Sequence, residues 1–171
     1  RALAKDARVL LLDEPLVNLD FKLREALEYE LRDLLRAANT VVIYTSSDPR
    51  DVFALGDQVL LLARGRKIQS GTPFDVYRDP ASFEAMELLA DPGVNRFTRG
   101  GRSCALRPEH VGVGALAEDA AGIGFDMRVT ACETNGSESF IHGRVDDNDW
   151  VVRCHGMREV HVGSMLNLHA R

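Results

Sequence analysis

The sequence predicts an α/β fold with a parallel sheet in its first half, followed by a small all-β domain. Three observations lead there. Two short, continuous apolar runs, at residues 9–12 and 40–44, bracket a segment of helical periodicity, the order of a strand–helix–strand unit whose strands are parallel. Both runs end in polar residues that stop a ladder. Beyond Gly93 the texture changes to short β-type segments punctuated by glycine, the spacing of a small barrel or sandwich. A length of 171 residues fits one domain or two small ones. With 45% apolar and 27% charged residues, a wholly disordered, collagen-like or disulfide-stapled chain is excluded.

Each element follows from local chemistry. The run VLLL at 9–12 reads as a strand covered on both faces, and Pro15 stops it because proline has no N–H to donate. Asp20 is placed to cap a helix of about five turns, in which Leu23, Leu27, Leu31, Leu34 and Leu35 form the apolar stripe. Lys22, Arg24, Glu28, Arg32 and Arg36 lie largely off that stripe. Asn39 follows the helix, and the strand at 40–44 runs into Thr45-Ser46-Ser47-Asp48. Pro49 fits the first position of a short helix capped by Asp48 and closed by Gly56. Segments 58–63 and 66–70 flank Arg64-Gly65 as a hairpin. Thr72-Pro73-Phe74-Asp75 reads as cap, first turn and acidic third position of a helix to about residue 78, and a further helix is expected at 83–90. Asp91-Pro92-Gly93 marks the expected boundary, giving domains 1–92 and 93–171. Beyond it, strands are expected at 103–106, 124–131, 138–145, 150–154 and 165–170.

Charge narrows the function. The chain carries 21 basic and 26 acidic side chains, and the division at Gly93 leaves 12 against 16 before it and 9 against 10 after it. Neither half is a basic arm, which argues against nucleic acid or an anionic membrane as partner. The longest apolar runs are far short of the roughly 20 residues that cross a bilayer. The opening RALAKD lacks an apolar secretory segment, and three cysteines are an odd set for a disulfide framework, so a reducing cytosol is expected.

The stretch VLLLDEPLVNLD, residues 9–20, carries the chemistry. Asp13 and Glu14 fall at the carboxyl end of a parallel strand, where open α/β sheets bind ligands. One carboxylate can orient hydrated Mg²⁺ and the next can polarise an attacking water, the division of labour that phosphoryl transfer needs. The plain alternative is a strand end that caps a turn.

RALAKDAR at 1–8, followed by VLLLDEP and NLD, resembles the ATP-binding cassette (ABC) transporter ATPases, in which the Walker B strand follows the signature helix. GTPFDVYRDP at 71–80, LRPEHV at 106–111 and ETNGSESFIH at 133–142 are similar to the carbohydrate-importer branch with its TOBE-type regulatory domain. The resemblance implies a fold made of the C-terminal part of a P-loop NTPase parallel-sheet domain followed by an incomplete, OB-like all-β domain. It makes Asp13 the Mg²⁺-orienting residue, acting through water, and Glu14 the general base. Asp20 becomes the D-loop aspartate, which communicates across an ATPase dimer, a role compatible with a helix N-cap. The expected cofactors are ATP and Mg²⁺. The expected partners are transmembrane permease subunits and a second ATPase subunit, with the protein peripheral on the inner face of the cell membrane. EPLVNLDFKLRE and TSSDP are also similar to a polyol importer subgroup, glycerol importers included, that pairs two different ATPase subunits.

Two departures bear on activity. The family's switch histidine is replaced by Ser47, which is shorter than imidazole and has no titration near neutral pH, so this site is expected to hydrolyse slowly or to serve an asymmetric pair. No G-x-x-x-x-G-K-[ST] string occurs, so the chain alone is expected to be a fragment that neither binds ATP tightly nor hydrolyses it. The alternative function is a non-catalytic regulatory or interaction module that retains a relict half-site. Cys132, His142, Cys154 and His155 lack paired metal-ligand spacing and are expected to be barrel residues and free thiols. Phe140 and Trp150 are expected in the core rather than on a base-stacking platform, and His110 in a structural turn.

Overall fold

A computed structural model describes residues 8–17, 19–37, 40–116 and 121–170. The opening string at 1–7 and Asn39 therefore lie outside the described residues. The chain divides into two compact units, Arg1–Ala85 and Met86–Arg171.

In the first unit, β1 (Val9–Asp13) pairs in parallel with β2 (Val41–Thr45), Leu10 opposite Val42 and Asp13 opposite Thr45. Helix α1 (Phe21–Ala37) connects them. The expectation that β1 is covered on both faces fails. Leu10 is buried, whereas Leu11 is 70% and Ile43 54% exposed, because among the described residues this sheet has two strands and nothing lies over that face. Likewise, no leucine of the α1 stripe is fully buried. Helix α2 (Pro49–Leu55) follows, with the Asp48 carboxylate accepting from the Arg50 N–H at 2.9 Å. Strands β3 (Val59–Ala63) and β4 (Arg66–Gly71) form the hairpin. Arg64 and Gly65 both adopt positive φ, +49° and +71°, the geometry of the two-residue turn whose twist matches its strands. Helix α3 (Pro73–Arg78) is capped by Thr72, whose hydroxyl accepts from the Asp75 N–H and donates to its carboxylate. Phe53, Phe74 and Tyr77 meet edge to face and tie α2 to α3. Helix α4 (Phe83–Leu88) is two residues shorter than expected.

The second unit is built around an antiparallel sheet. Its strands are β7 (Val111–Val113), β8 (Ile123–Thr134), β9 (Glu138–Val145), β10 (Asn148–His155) and β11 (Met165–Ala170), ordered β10-β9-β8-β11-β7. A separate hairpin, β5 (Asn95–Arg99) with β6 (Arg102–Leu106), stands beside β10. Neither β5 nor β7 was expected from the sequence. β5 reads NRFTR and offers a single large apolar residue, so it has no period-2 signal, while β7 is three residues long. The buried Asn95 side chain holds β5 in place, donating to the Val151 carbonyl and accepting from the Val151 N–H, both at 2.8 Å. Met127, Val129, Ile141, Val152 and Leu168 are fully buried and form the core with Trp150. Trp150 is thus a core residue, its indole N–H donating to the Arg96 carbonyl, with Phe97 and Phe125 stacked around it. Phe140 is half-buried under the Arg153 guanidinium. At Gly143 a Cβ would stand 2.5 Å from Met127 Cγ and 2.6 Å from the Arg128 carbonyl, so β8 and β9 approach too closely for any other residue.

Candidate functional site

The parallel register of β1 and β2 brings their carboxyl ends to one edge. Asp13 closes β1 and sits opposite Thr45, whose hydroxyl donates to Asp13 Oδ1 at 2.6 Å. The same hydroxyl accepts from the Glu14 N–H at 3.1 Å, and that N–H also reaches the Thr45 carbonyl at 3.2 Å. One threonine therefore fixes the carboxylate of residue 13 and the backbone of residue 14. Glu14 adopts φ +43°, in the left-handed region that non-glycine residues rarely occupy. Its carbonyl accepts from the Val17 N–H at 3.2 Å, closing a turn with Pro15 at the second position and Leu16 buried as its anchor. The chain thus leaves β1 sharply, with two adjacent carboxylates at its end.

Asp20 begins α1 as expected. Its carboxylate accepts from the Leu23 N–H at 3.0 Å and its carbonyl from the Arg24 N–H at 2.9 Å. Ser47 lies exposed in the turn after β2, between Ser46 and Asp48, two residues past Thr45.

Beneath that turn lies a polar cluster. Asp51 is only 4% exposed, yet its carboxylate is satisfied. Oδ1 accepts from Arg24 Nη2 at 2.6 Å, and Oδ2 accepts from the Ser46 hydroxyl at 2.5 Å and the Tyr44 hydroxyl at 3.1 Å. Arg24 also pairs with Asp48 at 2.9 Å and with Glu28 at 2.9 Å. The Glu28 bond, with Asp51 beside it, holds the Arg24 guanidinium more firmly protonated than usual. Burial, reinforced by Asp51, pushes the Tyr44 hydroxyl up, so it remains a donor. The hydrogen bond from Arg50 holds Asp48 below the usual carboxylate range. Arg24 thus faces α2, with Glu28 bonded beside it on the same helix, and both lie off the apolar stripe as expected.

Thr45, Arg24 and Asp51 were not singled out from the sequence. The signal for Thr45 is the register itself, since a hydroxyl opposite the last residue of a parallel strand reaches its carboxylate. For the cluster it is the Arg24/Glu28 spacing of four on α1, with two aspartates at the start of α2.

In the second unit, Cys154 is buried, and burial pushes its thiol up. All three cysteines are free, and among the described residues no three His, Cys, Asp or Glu side chains converge as metal ligands. His110 ends a short 3₁₀ turn, its N–H donating to the Arg107 carbonyl at 3.0 Å.

The five-stranded sheet belongs to a recognised domain class, for residues 104–171 match the TOBE domain family. The carboxylate edge of the first unit lies within a longer similarity. The chain is 34% identical over 197 aligned residues to the sn-glycerol-3-phosphate import ATP-binding protein UgpC of Salmonella typhimurium, covering 99% of this chain and 54% of that protein. It is 32% identical to the Escherichia coli protein of the same name, with the same coverage. Against UgpC 3 of Agrobacterium fabrum the identity is 29%, covering all of this chain and 55% of the relative. Residues 104–171 therefore carry the TOBE domain, and nearly the whole chain is similar to import ATP-binding proteins. It spans about half the length of the curated relatives it matches.

Proposed function

We propose that this chain forms the C-terminal part of an importer's ATP-binding subunit, coupling ATP binding and hydrolysis to uptake of a small polyol or its phosphate ester. The observation that carries the reading is the Thr45 bridge, which presents Asp13 and Glu14 together at the end of a parallel strand. The substrate class is supported by relatives named for sn-glycerol-3-phosphate import. Hard carboxylate oxygens fit Mg²⁺, and Asp13 is exposed with one oxygen already oriented by the Thr45 hydroxyl. Bound Mg²⁺ supplies charge neutralisation at the transferred phosphoryl group. Asp13 would hold the hydrated ion. Glu14 accepts the proton of the attacking water, its position set by the turn at 14–17. Asp20, at the head of α1, links this site to a second ATPase subunit. Since no G-x-x-x-x-G-K-[ST] string occurs in these 171 residues, phosphate cradling is assigned to another part of the assembled transporter.

Permease subunits supply the membrane path, and the ATP-binding subunit sits peripherally on the inner face of the membrane. Among the described residues no helix is long and apolar enough to cross one. The test is Glu14→Gln in the complete subunit assembled with its permease. Loss of ATP turnover with retained ATP is the expected result. Unchanged turnover would point instead to a regulatory module with a relict half-site.

A further inference from the structure

We propose that Arg24 and Asp51 are a positioning pair that locks the switch turn at Ser46–Asp48 to the cap of α1, so that residues 20 and 47 move as one body. The proposal rests on the reading of those residues as the D-loop and switch positions. Its ground is the bonding around a buried carboxylate. Asp51 Oδ2 takes the Ser46 hydroxyl, while the Asp48 N–H donates to the Ser46 oxygen at 3.0 Å. Ser46 is thereby turned inward and fixed at both its donor and acceptor functions, which leaves neighbouring Ser47 exposed at the surface. Asp51 Oδ1 takes Arg24, which starts the first turn of α1 by donating its own N–H to the Asp20 carbonyl. The guanidinium fork holds Glu28, Asp48 and Asp51 together, so one planar side chain spans both loops. A buried carboxylate with three donors resists partial opening, because releasing any donor leaves charge unpaired away from water. The two loops are therefore released together or not at all.

The experiment is amide hydrogen exchange on the full 171-residue chain, comparing wild type with Arg24→Lys and Tyr44→Phe. Lysine keeps the charge but offers no fork, so exchange should rise about tenfold together at residues 23–24 and at 48, 50 and 51, while β3–β4 amides stay unchanged. Tyr44→Phe leaves both the fork and the Ser46 bond intact, so residues 23–24 and 48, 50 and 51 should all stay unchanged. A rise confined to one loop, or spread evenly over the first unit, overturns the inference. In the assembled transporter, Arg24→Lys should lower kcat at unchanged KM for ATP. Preserved kcat alongside released loops would overturn the positioning role. If the wild-type transporter shows no ATP turnover, the ABC reading of the site fails while the exchange result still decides the coupling.

Discussion

At the scale of single residues, the site combines one side chain that contradicts its neighbours' apparent purpose with several that serve it. Ser47 follows a strand that delivers Thr45 to Asp13, and at the proposed switch position its side chain is shorter than an imidazole, which could also carry charge. Ser47→His in the complete subunit is expected to raise the Mg²⁺-ATPase rate. Equal rates for the two proteins would show that the serine does not limit hydrolysis. Asp48 serves both the α2 cap and the Arg24 cluster, and its folded-state pKa is depressed mainly by the bond from Arg50. A depressed carboxylate contributes stability above its unfolded value of about 4 and loses it as pH falls through the folded value. Denaturant midpoints should therefore fall below about pH 4, and Asp48→Asn should flatten that part of the profile. An unchanged acid profile in the variant would remove Asp48 from the account.

At the scale of elements, legibility in the sequence tracked how local the determinant was. The Asp48 and Thr72 caps, the Arg64-Gly65 turn and the β9 and β11 spans follow from neighbouring residues, and the structure has them. Asp13, Glu14 and Asp20 were legible as a motif on a strand–turn–helix. The β5 strand was not, because a partner 56 residues away holds it: Asn95 exchanges two hydrogen bonds with Val151. The Thr45 bridge and the Arg24–Asp51 pair were hidden for the same reason, being products of register and of the α1–α2 approach. Asn95→Ala leaves both polar groups of Val151 without their buried partner and should cost about 2 kcal/mol. Urea unfolding followed by Trp150 fluorescence measures it directly, and a midpoint unchanged from wild type would refute the role given to Asn95.

At the scale of the whole molecule, the two units differ in how completely they enclose apolar surface. The second has a continuous core around Ile141 and Leu168. The first leaves Val9, Leu11, Val41 and Ile43 open on one face of β1–β2, a contiguous apolar strip of the kind that marks an interaction surface or an aggregation liability. The 171-residue chain should accordingly bind a hydrophobic dye and self-associate with rising concentration. Leu11→Lys should reduce both, as read by dye fluorescence and sedimentation; no change would mean that this strip is covered in solution.

The left-handed backbone at Glu14 has a consequence for anyone engineering this protein. Holding a glutamate at φ +43° costs about 1–3 kcal/mol, which glycine at the same place would largely recover. Heat tolerance and turnover are therefore opposed at a single codon. A laboratory selection that rewards survival at elevated temperature alone would drift toward glycine at position 14 and discard the carboxylate proposed to activate water.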